Sequence, residues 1–268
     1  MYNIVASDLD GTLLTSKYKI TDFTKKTLLS LTSQGLHFVF ATGRHHIDVF
    51  KLSDELNIQS YMITSNGAKI YDNNKKLIFN RFLKKNIVMS LCTIRYIDID
   101  IVTQLYCTNQ WYIHSNQFNK HKFCNNLFLK FKILNLNKLT FMNINKIFFT
   151  SHNIKKLELL KKEILHIWSD KFFNIFFSFP ECLEIVPKGI SKGLALKFVA
   201  ERLGYSLNHC ITFGDGMNDQ DMLSMSGKGC IMNNADPRLK SILPNLEIIG
   251  NNNEDGVAHY LRNLYQFT

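Results

Sequence analysis

The chain has 268 residues, 46% hydrophobic and 20% charged, which is typical of a globular protein with one large domain or two smaller ones. Its formal net charge of +10 comes from lysines spread along the chain, without a clustered basic and aromatic stripe, so we expect no nucleic-acid partner. No apolar run is long enough for a membrane span, and the first predicted strand starts next to Met1, so we expect neither a membrane anchor nor a signal peptide.

The cysteines are scattered and form no Cys-x-x-Cys pair. Without an export signal, we expect them to be free thiols in a reducing cytosol and the protein to be cytoplasmic. The six positions are Cys92, Cys107, Cys124, Cys182, Cys210 and Cys230.

The first apolar run, Tyr2 to Ala6, predicts a buried strand, and Asp8-Leu9-Asp10-Gly11-Thr12-Leu13 follows it directly. Two carboxylates two residues apart at a strand end point into the same space. Their repulsion needs compensation, for which a hard divalent cation is well suited. Taken alone, the segment is also compatible with a solvated turn.

The next elements alternate between helix and strand. Helical spacing from Phe23 to Leu31 leads to an apolar run that ends at Thr42-Gly43-Arg44. A second helix leads to a third strand, Tyr61 to Thr64, which ends at Ser65-Asn66-Gly67. This order predicts a parallel sheet with crossover helices, whose polar turns gather at one edge. The adjacent His45 and His46 are predicted to be solvated or capping residues.

The pattern changes between residues 84 and 187. Alternating runs and an amphipathic helix occur in mixed order, which predicts an inserted α+β domain. Residues 135–145 are predicted to form a loop. We therefore expect a core made of residues 1–83 and 188–268, interrupted by an insertion at 84–187.

The chain then returns to a helix that starts at Ser191 and a strand from Cys210 to Phe213, followed by the loop 214–219. Lys192 lies in the first turn of this helix, where its charge opposes the helix dipole by up to about 1 kcal/mol. Broken local rules at well-formed elements tend to mark function. From the dipole alone, Lys192→Ala is expected to leave the fold intact or slightly more stable.

These polar segments, in this order and at strand ends, resemble the haloacid dehalogenase superfamily of phosphotransferases. The Ser65-Asn66-Gly67-Ala68 turn, the late insertion and the Glu254-Asp255-Gly256-Val257 tail are similar to its Cof-type branch. The resemblance implies an α/β fold with a doubly wound, Rossmann-like core and an inserted α+β cap that determines substrate specificity. One departure is Asn233, where the branch usually has glycine.

The resemblance also implies a role for each segment. Asp8 would be the nucleophile and Asp10 the general acid and base. Mg²⁺ would be held by Asp8, Asp215 and the backbone carbonyl of Asp10, and Asp219 would orient Lys192 or support the metal site. The residues implied to bind the phosphate are Leu9, Thr42, Gly43, Lys192 and Asn218. The residues implied to contact the substrate edge are Arg44, Asn66, Gly67 and Glu184.

The predicted function is Mg²⁺-dependent hydrolysis of small phosphomonoesters, such as sugar phosphates or phosphorylated cofactors like pyridoxal phosphate. The alternatives are a phosphotransferase or phosphomutase on the same scaffold and a non-catalytic protein that binds phosphorylated ligands. The predicted partner is a small phosphorylated molecule, while the oligomeric state is left open. In the insertion, Glu181 and Glu184 are expected either to meet substrate hydroxyls or to be solvated strand-edge carboxylates.

Overall fold

A computed structural model of the chain describes residues 2–93, 100–114 and 128–266. Two compact units are present. The core unit comprises Met1–Phe79 with Ser191–Thr268, and the insertion unit comprises Asn80–Ile190. The assignment of catalysis to the first unit and specificity to the second stays a prediction.

Helices and strands alternate at the start of the core unit up to a run of three successive strands, are mixed in the insertion unit, and alternate again after it. The first part contains β1 (Ile4–Ser7), α1 (Asp22–Ser33), β2 (His37–Ala41), α2 (His46–Leu56), β3 (Ser60–Thr64), β4 (Lys69–Tyr71) and β5 (Leu77–Asn80). The described insertion contains α3 (Lys85–Thr93), β6 (Val102–Cys107), β7 (Trp111–Ile113), β8 (Phe131–Ile133), β9 (Ile144–Thr150), α4 (Ile154–Ile167), β10 (Phe173–Phe179) and β11 (Cys182–Pro187). The last part contains α5 (Lys192–Arg202), β12 (Cys210–Gly214), α6 (Gln220–Met225), β13 (Lys228–Met232), α7 (Pro237–Ile242), β14 (Glu247–Ile249) and α8 (Gly256–Tyr265).

The larger sheet has the strand order β14-β13-β12-β1-β2-β3-β4-β5, with β1 parallel to both β12 and β2. Side chains of β1 alternate between its two faces. Val5 packs in a cluster with residues of α1 and α8, and Ile4 and Ala6 pack in another with residues of α5. Helices therefore cover both faces, and the predicted doubly wound sheet is confirmed.

The chain runs from β1 towards β3 on one side and from β12 towards β14 on the other, so the strand order reverses between β1 and β12. Ligands of such sheets bind beyond the carboxyl ends of the strands at this switch point. Ser7 is in register with Phe213, which brings the segments that follow them, including Asp8 and Asp215, to the same place. The fold thus joins two of the sequence segments singled out above.

The insertion unit has a mainly antiparallel sheet of order β10-β11-β9-β6-β7-β8. Alternate residues of β6, β9 and β11 form one core with α3 and α4. Within the predicted loop 135–145, Leu136–Phe141 forms a short 3-10 helix and β9 begins at Ile144, so that prediction was wrong. The Asn135 side chain accepts a hydrogen bond from the amide of Asn137 and starts this helix.

Strands β4 and β5 were not predicted; β4 pairs antiparallel with β3 and extends the large sheet. Within the described ranges 2–93, 100–114 and 128–266, Cys92, Cys182, Cys210 and Cys230 are free thiols, and Cys124 lies outside those ranges. Within the same ranges, no helix is long and apolar enough to cross a membrane.

Candidate active site

Three buried aspartates meet at the switch point of the core sheet. Asp8 follows β1, and Asp215 and Asp219 follow β12. One carboxylate oxygen from each lies within 4.8 Å of the other two. The first two were predicted metal ligands, and the third was predicted to support them.

Lys192 lies among these carboxylates and is fully buried. Its Nζ is 2.8 Å from Oδ1 of Asp8 and 2.6 Å from Oδ1 of Asp219. Ser191 caps α5, since its hydroxyl oxygen accepts a hydrogen bond from the amide of Leu194 at 3.2 Å. The cap fixes where α5 begins, and so places the lysine beside Asp8.

The electrostatics of this cluster leave negative charge uncompensated. Burial raises the pKa of Asp8 to about 7, against the lowering effect of Lys192, and Asp219 and Asp10 add to the rise. Burial, Asp8 and Asp219 also raise the pKa of Asp215 well above its ordinary value. Burial alone would lower the pKa of Lys192, but the carboxylates of Asp219 and Asp8 outweigh it and raise that pKa. Three carboxylates face one ammonium group, so a cation would relieve the remaining repulsion.

The donor atoms at this site fit a hard divalent cation. All are oxygens, which Mg²⁺ and Ca²⁺ prefer. Asp219 is already engaged, because its Oδ1 pairs with Lys192 and its Oδ2 accepts backbone hydrogen bonds from Asp215 at 3.0 Å and Gly216 at 2.9 Å. Asp215 accepts the hydroxyl of Thr12 on one oxygen only, at 2.8 Å. This leaves Asp8 and Asp215 as the residues that could hold a cation, whereas Asp219 binds Lys192 and the backbone.

Gly11 permits the close approach of the two strand-end turns. Its φ is +79°, and a Cβ at this position would lie 2.2 Å from Oδ2 of Asp215. Both the backbone conformation and the space exclude larger residues. The glycine is therefore required where the first turn meets Asp215.

Asp10 forms a two-point ion pair with Arg44. The Arg44 Nε donates to Oδ2 at 2.7 Å, and its terminal nitrogen donates to Oδ1 at 2.5 Å. The Tyr18 ring lies against the guanidinium, with 5.9 Å between Cζ and the ring centroid. Arg44 was predicted to contact the substrate edge; in the structure it binds the predicted general acid.

The predicted phosphate-binding turn is tied to the turn after β3. The hydroxyl oxygen of Thr42 accepts a hydrogen bond from the Arg44 amide at 3.1 Å, and its carbonyl accepts one from the Asn66 amide at 3.0 Å. Asn218 donates its side-chain amide to Oδ1 of Asn66 at 3.0 Å. The segments around Thr42, Asn66 and Asn218 thus form one hydrogen-bonded group, while Leu9 lies buried between Asp8 and Asp10.

Glu184 lies in the insertion unit and is 4% exposed. It pairs with Lys146 at 3.0 Å and accepts the Ser178 hydroxyl at 2.8 Å. The solvated reading was therefore wrong for Glu184, and substrate contact stays a prediction. Glu181 is half-buried and lies 3.5 Å from the Nδ1 of His152.

The adjacent histidines are both buried. The Nδ1 of His45 accepts the Ile47 amide at 3.3 Å and caps α2, and the ring of His46 stacks on Tyr71 at 5.0 Å. The capping interpretation is right for His45, and the solvated one is wrong for both. The sequence analysis also missed Asp221, whose Oδ2 accepts the amide of Gly193 in the first turn of α5 at 3.2 Å.

The comparisons with known proteins agree with this fold. The sequence profile of the haloacid dehalogenase-like hydrolases matches residues 5–261. A putative phosphatase of Buchnera aphidicola subsp. Schizaphis graminum is 52% identical, covering 97% of this chain and 95% of that protein. An HMP-PP phosphatase of Serratia proteamaculans is 31% identical, covering 98% and 95%. The solved structure of a haloacid dehalogenase-like hydrolase from B. subtilis has a TM-score of 0.83 and 27% identity, covering 98% of this chain and 99% of that one.

The protein is thus a hydrolase with a doubly wound α/β core. It belongs to the haloacid dehalogenase-like hydrolases, and the resemblance stated from the sequence is confirmed. The prediction of a phosphatase enzyme is confirmed at the level of this class.

Proposed function

We propose that this protein hydrolyses small phosphomonoesters through an aspartyl-phosphate formed on Asp8, with Mg²⁺ as cofactor. The observation that carries the proposal is the buried Asp8 carboxylate, which has the Lys192 ammonium 2.8 Å away and Asp215 in the same oxygen cluster. Attack on phosphorus needs a nucleophilic carboxylate, which Asp8 supplies at the end of β1. The transferred phosphoryl group needs fixed positive charge beside it, which Lys192 supplies.

The proposed reaction has two steps. An oxygen of Asp8 attacks phosphorus, and the bond between phosphorus and the leaving-group oxygen breaks as Asp10 donates a proton to the leaving-group oxygen. Asp10 then takes a proton from water, whose oxygen attacks the phosphorus while the bond between phosphorus and the Asp8 oxygen breaks, and inorganic phosphate is released. The second step restores both carboxyl groups to their starting state.

Fixed donors hold the phosphoryl group during both steps. We assign this role to the amides of Leu9 and Gly43, the Thr42 hydroxyl, the Lys192 ammonium and the Asn218 amide. Such preorganised groups stabilise charge as it moves in the transition state. Mg²⁺, held by Asp8, Asp215 and the backbone carbonyl of Asp10, would neutralise the phosphoryl oxygens.

Arg44 is assigned to Asp10 in this scheme. Both oxygens of Asp10 accept hydrogen bonds from the guanidinium, so one oxygen must leave it before Asp10 can exchange a proton with substrate or water. The ion pair fixes the carboxyl group next to the nucleophile between these events. Arg44 therefore acts through Asp10 in addition to any contact with the substrate edge.

For the substrate, we propose a phosphorylated cofactor or sugar phosphate, with specificity supplied by the insertion unit, where Glu184 is the candidate contact. The relative from Serratia is named an HMP-PP phosphatase, and its substrate is the first compound to test. The free thiols of Cys92, Cys182, Cys210 and Cys230 fit action in the cytoplasm.

The test is a panel of phosphomonoesters assayed for release of inorganic phosphate with Mg²⁺ present. Wild-type protein is expected to turn over at least one class of ester and to stop when a chelator is added. Asp8→Asn is the matched control, because it keeps the shape of the side chain and removes the nucleophile. Turnover by Asp8→Asn at the wild-type rate, or full turnover in excess chelator, would refute the proposed chemistry.

A further inference from the structure

The turn after β3 has a strained backbone. Ser65, Asn66 and Gly67 have consecutive positive φ angles of 50°, 55° and 101°. The left-handed region is unfavourable for residues with a Cβ, and it persists only where surrounding contacts hold it. All three residues are buried.

Gly67 explains part of this geometry. A Cβ at this position would lie 2.4 Å from the backbone oxygen of Ser191, the residue that caps α5. The turn therefore lies close to the helix start that carries Lys192. Only glycine fits there, but this does not account for the left-handed Ser65 and Asn66.

Their contacts do. The amide of Ser65 donates to the carbonyl of Arg44 at 2.9 Å, and the amide of Asn66 donates to the carbonyl of Thr42 at 3.0 Å. The strained backbone thus aims two consecutive N–H groups at the predicted phosphate-binding turn. The same conformation presents Oδ1 of Asn66 to the side-chain amide of Asn218, 3.0 Å away.

We propose that Asn66 is a positioning residue that sets the orientation of the Asn218 amide and ties it to the Thr42 turn. A primary amide has two N–H groups, and donating one of them to Asn66 fixes the plane in which the other lies. Without this acceptor, the Asn218 side chain would rotate and its remaining donor would no longer be preorganised. The inference rests on the proposed function, which assigns Asn218 to the phosphoryl group, but it gives Asn66 an indirect role.

A double-mutant cycle tests this role through kcat/KM for p-nitrophenyl phosphate with Mg²⁺. Asn218→Ala is expected to lower kcat/KM by at least about tenfold, as loss of a transition-state donor does. Asn66→Ala should lower it by a similar factor. If Asn66 acts through Asn218, the double variant should be about as active as Asn218→Ala alone, because the second change removes nothing further.

Asn66→Gly and a control variant at Asn57 distinguish the effect of backbone strain from the effect of losing the Asn66 side chain. Glycine accepts the left-handed conformation, so Asn66→Gly should melt at or near the wild-type temperature and still lose activity. Asn57 is also left-handed, with φ +55°, but it is an exposed residue that ends α2. Asn57→Ala should therefore lower the melting temperature and leave kcat/KM unchanged.

Wild-type kcat/KM in Asn66→Ala or in Asn66→Gly would overturn the inference, and so would multiplicative losses in the double variant. Failure of the proposed function can be distinguished from failure of the positioning role. If Asp8→Asn and Asn218→Ala both keep full activity, the site itself is wrongly assigned. If those two lose activity and Asn66→Gly does not, only the positioning role is wrong.

Discussion

Lowering the pH from about 8 to about 6 should weaken the binding of Mg²⁺ to the metal-free protein by about tenfold. The reason is competition between the cation and a proton for the same carboxylate. Burial, together with Asp219 and Asp10, raises the pKa of Asp8 to about 7 despite Lys192. A proton must therefore leave Asp8 before the cation binds, unless the carboxylate is already ionised.

The magnitude follows from the pKa. At about pH 6 the Asp8 carboxyl group is about nine-tenths protonated, and at about pH 8 about nine-tenths ionised, so the binding-competent fraction changes about tenfold, or about 1.4 kcal/mol. The raised pKa of Asp215 acts in the same direction. The raised pKa of Lys192 keeps this cation charged across the range.

Stability without metal should show the opposite trend. The pKa of Asp8 is about 7 in the folded protein, against its ordinary value of 3.8, which applies to the unfolded chain. Between these two pH values the folded state therefore binds more protons than the unfolded state. The contribution of Asp8 to the free energy of unfolding therefore falls as the pH rises from about 4 to about 7. The stabilisation that Mg²⁺ adds should rise over the upper part of that range.

Calorimetric titrations at several pH values, with thermal melts with and without Mg²⁺, measure both trends. Protein treated with a chelator and exchanged into metal-free buffer is the starting material. Asp8→Asn should bind Mg²⁺ more weakly and lose the part of the pH dependence that Asp8 supplies. A wild-type affinity that stays constant between about pH 6 and about pH 8 would refute the argument, because Asp8 would then be ionised without the cation.

Three other substitutions give distinct outcomes. Lys192→Ala should reduce phosphate release by at least about 100-fold and lower the free energy of unfolding in urea by about 3–5 kcal/mol, because two buried carboxylates lose their counter-charge. Normal activity with lost stability would make Lys192 structural. Asp10→Asn should give a rapid burst of p-nitrophenol from the aryl ester and then slow turnover, with a larger loss on a sugar phosphate; equal losses without a burst would contradict the acid–base role. Lys146→Met should destabilise the protein by about 3–5 kcal/mol, and adding Glu184→Gln should recover part of that in denaturant melts; no recovery would mean that the two charges are not coupled.

For Lys192→Ala, the relative size of two opposing effects decides the sign of the change in stability. From the sequence, only the unfavourable helix dipole was visible, which is worth up to about 1 kcal/mol, and its removal favoured a slightly more stable fold. The structure adds two buried ion pairs, to Asp8 and Asp219. Breaking buried pairs outweighs the dipole several-fold, so the expected sign of the stability change reverses.

The sheet and its strand-end turns were predictable because their signals are local. Apolar runs of strand length, helical spacing between them and polar turns after them specify a parallel sheet, whose chemistry gathers at one edge. That reasoning gathered the turns after the first three strands at one edge, whereas the joining of Asp215 to Asp8 was implied by the family resemblance. The hairpin of β4 and β5 escaped because Lys69–Tyr71 is too short for a periodic signal.

Pairings between distant residues could not be read from local patterns. Lys146 and Glu184 are 38 positions apart and meet because β9 and β11 are neighbours in the sheet. Arg44 reaches Asp10 across 34 positions. Glu184 was therefore thought to be either solvated or a substrate contact, when its partner is a lysine within the same unit. Strand order and register decide which distant side chains meet, and the local pattern of a single sequence does not reveal them.

Two local conflicts occur at the proposed site, and only one is visible in the sequence. Lys192 opposes its helix dipole, and this follows from its position after a capping serine. The left-handed Ser65 and Asn66 become apparent only as backbone angles. A positive φ is not itself a mark of function, since the exposed Asn57 adopts it to end α2 and bonds locally to the carbonyl of Asp54. What distinguishes the turn is burial together with hydrogen bonds to distant segments, because strain persists there only if those segments hold it. The same test separates Lys192 from a surface lysine, since its two partners lie 184 and 27 positions away along the chain by residue number.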